Sequence, residues 1–591
     1  MNQACGGGEK RWYTSTRELQ LVSLAFCRAC RSVPTMHVRV DSQTPTSLWS
    51  SRRQTSTQPN PRSSRMRVSS RVPVLRAHRL TWALAMCALV EIADSELWTW
   101  SERLELCGAV SSPSLEWVTW PQGLKQLVLD TSLEASMEAV RWPPGLKQLS
   151  FGDMFDQPIT RVDWPAFLQD LSFGRCFNQP TARGVWPASL RDLSFGPCFD
   201  QPITGDVWPL SLLRLSFGSG FNQPVTGVAW PVSLRHLSFG HHFNQPIAAA
   251  VWPPSLQQLS LSNCFDHPIL GVTWPASLQQ LSFGYDFNQP IAGVMWPAFL
   301  HRVSFGTMFN HPVVGVVWPI SLQQLSFECA FNRPITRVVW PASLQQLSFG
   351  GCFNQPIAEI TWPAFLQRLS FGICFSRSPI VGILWPASLQ RLSLGWHFNR
   401  PISGVAWPAS LQQLSLGQCF NQPIVGVTWP PFLRQLSLGD RFDKPIAEAV
   451  WPASLQKLSL GFQFNHPITG VVWPASLQQL SFGYNFNQPI DEVVWPASLQ
   501  KLSFWGGFNQ PIVGVMWPPS FRQLSLGDRF EQPIAEVVWP ASLQKLSFGL
   551  NFNHPITRVV WPASLQQLSF GYYFNQPIDE VVWPASLREL S

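Results

Sequence analysis

The chain has 591 residues, of which 45% are apolar and only 13% are charged, with a formal net charge of +7. Charged residues normally make up about a quarter of a soluble domain, and here even the net charge is local: residues 1–80 hold 14 Lys/Arg against 3 Asp/Glu, a balance of +11, whereas the remainder holds 27 against 31, a balance of −4. This excludes a global electrostatic case for nucleic-acid binding by the body of the chain, and no apolar run reaches the about 18–20 residues of a membrane helix.

Residues 1–95 form an irregular, basic, Arg- and Ser-rich leader whose composition cannot bury a core, so disorder is expected there. Within it, the eleven-residue, largely apolar stretch Leu80–Val90 follows Arg76 and Arg79. Read from Met66 this is a basic lead and a short apolar core, the pattern of a signal peptide, and the acid-poor leader also has the look of an organelle transit segment. The expected location is cytoplasmic, with an organelle or secretion as the alternative if the leader is a targeting segment. Cys27 and Cys30 make a lone C-x-x-C with no second pair at zinc spacing.

Residues 96–141 are degenerate repeats in which Leu133 and Met137 stand for a later Phe and Ile, and Ser136 for a later Pro. Atypical terminal repeats usually cap an array. From 142 to 591 the repeats are regular. Twenty-two Trp-Pro dipeptides run from Trp120–Pro121 to Trp583–Pro584, every step being 22 residues except the 23 from Trp362 to Trp385. Self-similarity at such a period decides the architecture before any local reading.

The unit from Trp274 to Met295 is representative. Leu278, Leu281 and Phe283 alternate with Gln280 and Ser282, which reads as a short strand with one buried face. Gly284 lets the chain turn; Phe287 and Ile291 re-enter the core; the Asn288 amide can satisfy backbone groups at a corner. Pro290 and Pro297 fix φ and hold their predecessors extended, so a regular helix does not fit. The fold class expected is therefore an all-β-type solenoid: tandem 22-residue triangular coils, one short parallel strand per coil, two proline-marked corners and little regular helix. At about 4.8 Å per coil it would run roughly 100 Å.

The Phe-Asn-x-Pro-Ile block (Phe287, Asn288, Pro290, Ile291) and the Pro-x-Ser-Leu-x-x-Leu block (Pro275, Ser277, Leu278, Leu281) resemble the FNIP repeat, a relative of the leucine-rich repeat, over about residues 142–591. The chain departs from the family in carrying Trp before the first Pro, where Leu is usual. It also departs from the general leucine-rich pattern: Asn288 lies two positions after the Asn/Cys slot, which Asp286 occupies here and Cys264 one coil earlier. Some family members pair such arrays with an F-box; residues 1–95 show no F-box pattern, so an adapter role in ubiquitin ligation does not carry over.

The block at Trp429 recurs at Trp517, an offset of 88 residues or four units, which points to segmental duplication. The last unit stops at Ser591 in mid-strand without degenerating. That reads as truncation, or as an open edge available for self-association.

No G-x-S-x-G, phosphate-cradling Gly loop, His-Glu-x-x-His or Cys/His cluster at metal spacing is present. The chain is therefore read as non-enzymatic, with no catalytic, cofactor-binding or metal-binding residues and no cofactor. His241 and His242 adjoin without a partner that the sequence can place. Cys176, Cys198, Cys264, Cys352, Cys374 and Cys419 recur just before the constant Phe, as free thiols in a small half-buried slot.

The slot six residues after each Trp faces outward on the strand. It holds Asp170 and Asp192, then Arg214, His236, Arg302, Arg368, Arg391, Lys457, Lys501 and Lys545, with Gln between, beside a Ser column that includes Ser282 and Ser503. One reading is a solvated surface with charges spaced for solubility. The other is a recognition face on the strand side for a protein or peptide partner, acidic in character. The function expected is a protein–protein interaction scaffold, the alternative a structural, self-assembling repeat protein stacking end to end; nucleic acid is not expected as a partner.

Overall fold

The computed structural model describes residues 36–41, 102–108, 115, 118–131, 137–182, 184 and 186–591. The C-x-x-C and the Leu80–Val90 stretch of the leader lie outside them. Among the described residues there are 24 strands and no helix long and apolar enough to cross a membrane. The strand Met36–Asp41 pairs antiparallel with Arg103–Gly108. Every later pairing is parallel and joins a coil to the next: Arg103–Gly108 to Gln126–Thr131, that strand to Gln148–Phe151, and onward to Glu589–Leu590. The register is identical throughout, as in Gln280↔Arg302, Leu281↔Val303 and Ser282↔Ser304.

Three β-turns close each coil, where the prolines alone suggested two corners. Leu278 N–H donates to Pro275 O at 3.0 Å, closing a turn of which Pro275 is the first residue. The second corner follows the conserved glycine, as where Phe309 N–H donates to Gly306 O at 3.3 Å. A Cβ on Gly306 would lie 1.5 Å from the carbonyl oxygen of Gly284 in the preceding coil, so close contact between coils favours glycine in this slot. The third turn runs from Ile291 to Val294, with Gly293 at φ +82°. In the one 23-residue coil the extra residue is absorbed at the Asn corner, where buried Ser378 accepts the Ile357 N–H at 3.3 Å.

The polar constants tie coils together. Asn288 N–H donates to Asp266 Oδ1 at 2.9 Å, and Asn288 Oδ1 accepts from Asn310 N–H at 2.9 Å, so this corner is an amide ladder. Ser277 Oγ donates to Leu256 O at 2.8 Å. Leu278, Phe287 and Ile291 are fully buried, and the same slots form continuous columns along the array.

Those columns bend the solenoid. Strand hydrogen bonding sets a spacing of about 4.8 Å, but stacked Phe283 and Phe305 lie 5.3 Å apart, Phe287 and Phe309 6.0 Å, and Trp252 and Trp274 6.5 Å. The gain between the two Phe columns, whose rings are 4.2 Å apart in one coil, varies from step to step and amounts to a wedge of roughly 5–10° per coil. Over some twenty coils this accumulates to an arc of about a quarter to half a turn, with the strands inside. The array is thus an arc and not the straight rod that strand spacing alone gives.

Candidate functional site

Curvature makes the strand face an inner wall. Its outward slots line two depressions. The larger, about 780 Å³, runs from Gln346 to Trp505 and includes Arg368, Arg391, Lys457, Lys501 and Ser503. The smaller, about 360 Å³, spans Gln148 to Ser216 and includes Asp170, Asp192 and Arg214.

The predicted residues divide by what they touch. Arg214 is held by Asp192, with Nη1 at 2.8 and 3.1 Å from the two carboxylate oxygens. Asp170 accepts from Gln148 Nε2 at 2.6 Å; burial and a side-chain hydrogen bond with Asp192 push its carboxyl up from the usual range. His236 Nδ1 lies 2.8 Å from Gln258 Oε1, and Arg302 Nε donates to Gln324 Oε1 at 2.6 Å. Ser282 Oγ donates to Ser260 Oγ at 3.0 Å. Among the described residues, Arg368, Arg391, Lys457, Lys501 and Lys545 make no ion pair. Arg368 and Arg391 are register neighbours, whereas Gln479 separates Lys457 from Lys501. Lys545 lies on the strand Lys545–Ser547, past the lining of the larger depression.

Several features were not readable as sites in the sequence. Trp505 takes the slot that glycine holds in most coils; it is 63% exposed and closes one end of the depression beside Lys501. At the adjoining edge Phe462 stacks on Tyr484 at 5.0 Å, and the Arg529 guanidinium sits 5.7 Å over the Tyr484 ring. Each of these stacks needs residues one or two coils apart to become neighbours. From Trp451 to Trp561 the slot before each Trp carries a second ladder, of exposed aliphatics: Val450, Val472, Val494, Met516, Val538 and Val560.

The cysteine column also acquires partners. Cys329 and Cys352 Sγ stand 3.9 Å apart as free thiols. His241, His242 and Cys264 bring three metal-ligating atoms within 4.8 Å of one another. Burial, then the Asp286 carboxylate, pushes the Cys264 thiol up. The adjoining histidines thus do have a partner; a coil boundary hid it.

The model of the FNIP Repeat matches residues 177–220, 221–264, 309–352, 420–463, 464–505, 508–551 and 552–591, together about half of the chain. The chain belongs to the FNIP repeat family. Each matched segment opens on the Phe of a Phe-Asn pair and spans about two coils, and the FNIP slots recur in the coils between. A solved structure, that of CroV588, described as a novel circular LRR protein, is 39% identical, with a TM-score of 0.70 over 82% of this chain and 77% of its own. Among curated proteins none matches. An FNIP array of this kind is a fold typical of interaction and scaffold proteins.

Proposed function

We propose that this FNIP array is a non-enzymatic scaffold that holds an extended, acidic protein segment along its inner wall between Gln346 and Trp505. One observation carries the reading: four cations, Arg368, Arg391, Lys457 and Lys501, line a single depression without ion pairs, with exposed Trp505 at its end. An extended chain suits this wall, because binding slots repeat at the strand spacing, and solenoids commonly use such concave surfaces. Trp505 supplies the aromatic anchor that concentrates binding energy in few contacts. The circular form of CroV588 accords with a curved array. The seven described free thiols suit a reducing compartment.

The test is fluorescence anisotropy of an oligoglutamate peptide and a neutral peptide of equal length against the full chain. The acidic peptide is expected to bind, to weaken steeply with salt, and to lose at least about tenfold affinity in Lys457→Glu/Lys501→Glu. Equal binding by that variant defeats the proposal. An oligothymidylate run alongside decides the partner class: tighter binding of the oligonucleotide would move the cation–aromatic track to single-stranded nucleic acid.

A further inference from the structure

We infer that His241, His242 and Cys264 form a zinc site on the edge of the array. Cys264 Sγ lies 3.6 Å from His241 Nδ1 and 4.0 Å from His242 Nδ1. A tetrahedral ion with metal–sulfur bonds of about 2.3 Å and metal–nitrogen bonds of about 2.0 Å requires nitrogen–sulfur separations of roughly 3.6 Å. The two nitrogen–sulfur separations therefore stand within a few tenths of an ångström of coordinating geometry, and all three ligand atoms lie within 4.8 Å of one another.

The backbone holds them there. His242 N–H donates to Ser219 O at 2.8 Å, Cys264 N–H to His241 O at 2.9 Å, and Asp286 N–H to Asn263 O at 2.7 Å. These bonds stack the turns of four consecutive coils, so little ordering entropy remains to be lost on binding. Both histidines are exposed and Cys264 is half-buried, which leaves the ion a route from solvent.

The donor set selects the metal class. Two imidazoles and one thiolate suit a borderline-soft divalent ion, and zinc above all; calcium and magnesium demand oxygen ligands. Three protein ligands leave a fourth position open. Asp286, whose carboxylate interacts with the Cys264 thiol, adds negative charge near the site that favours a bound cation. Binding takes the proton from the Cys264 thiol and releases it to solvent. The ligands come from two adjacent coils, so the ion would clip one to the next.

The experiment titrates cobalt(II), as a spectroscopic stand-in for zinc, into the untagged full chain under reducing conditions. One equivalent is expected to give thiolate-to-cobalt charge-transfer absorption and the intense visible bands of tetrahedral cobalt, and zinc should displace it. Cys264→Ser should abolish the charge-transfer band, and His242→Ala should weaken binding at least tenfold. The Cys329→Ser/Cys352→Ser variant, which removes the other close thiol pair, should leave the spectrum unchanged. Because the ligands are surface groups, melting of each variant in chelator should match that of the parent chain. Absence of the charge-transfer band from the parent, or its survival in Cys264→Ser, would overturn the site.

Discussion

The coil from Trp186 to Val207 and the coil from Trp274 to Met295 present the same interior slots and differ at one of them. Leu190, Leu193, Phe195, Phe199 and Ile203 of the first match Leu278, Leu281, Phe283, Phe287 and Ile291 of the second, but buried Val294 is replaced by Asp206, only 3% exposed. The first coil tolerates this carboxyl because the preceding coil changed too. Thr181 stands in the Ile slot, and its hydroxyl donates to Asp206 Oδ2 at 2.6 Å. The other carboxyl oxygen finds no protein partner. The polar intrusion is thus a unit of two adjacent coils, as expected where each repeat contacts only its neighbours. The frame is common to both coils, and departures from it are local.

The interior columns give the largest effect. Phe287 is fully buried, stacked on Phe265 and Phe309 and on Phe283 of its own coil; Phe199 has the equivalent neighbours four coils earlier. Phe287→Ala and Phe199→Ala should each destabilise their coils by about 3–5 kcal/mol. Hydrogen exchange of the full chain, read peptide by peptide, should show equal losses of protection spreading only to adjacent coils. If Phe199→Ala were nearly silent, the polar coil would be loose already and the common frame would fail.

The second effect separates the coils. Burial raises the Asp206 pKa to about 6 from 3.8, with the Thr181 hydrogen bond opposing. A carboxyl whose folded pKa exceeds its unfolded value binds its proton more tightly when folded. Its neutral form is accommodated below about pH 4, and stability is lost as pH rises from there through about 6. The loss is about 3 kcal/mol, confined to the coils around Trp186, while those around Trp274 stay level. Thr181→Ile/Asp206→Val should remove most of the difference, leaving the share of the raised Asp170 carboxyl, and raise protection at neutral pH. Exchange at pH 4 and pH 7.5, corrected for the intrinsic rate, measures both.

How much of this was legible follows the repeat. The period and the alternation of Leu281 with Gln280 and Ser282 gave the solenoid, its single parallel strand per coil and the buried columns. Arg368, Arg391, Lys457 and Lys501 could be placed on one outward column for the same reason. The curvature was not legible, because it depends on the difference between hydrogen-bond spacing and aromatic stacking distance. Pairings between coils were hidden as well: Arg214 with Asp192, Thr181 with Asp206, and His241 with Cys264 lie 22 to 25 residues apart, where no local motif looks. Trp505 was hidden in a slot that glycine usually fills.

The third effect concerns the indole column, shared by both coils. Trp186 and Trp274 are buried, yet their Nε1–H groups find no protein acceptor. The ring then contributes through its area, and the polar tip adds no bond. Trp274→Phe should cost about 1 kcal/mol, and Trp274→Ala about 3–5. A Phe variant as damaging as the Ala variant would show that the N–H is bonded after all.

The smallest effect lies at the third corner. Both coils turn there on glycine, Gly205 at φ +105° and Gly293 at φ +82°. Other coils place an acid at the same corner, and among described residues other than glycine only Glu359 has positive φ, at 63°. A side chain there crowds its own backbone, a strain that glycine lacks, although glycine loses more entropy on folding. The strain outweighs the entropy only modestly, so Glu359→Gly should stabilise its coil by about 0.5–1 kcal/mol. Glu448, whose φ is not positive, should respond in the opposite sense, since Glu448→Gly adds chain entropy without relieving strain. Opposite signs at two equivalent corners would show that backbone conformation, and not the lost charge, sets the stability of this turn.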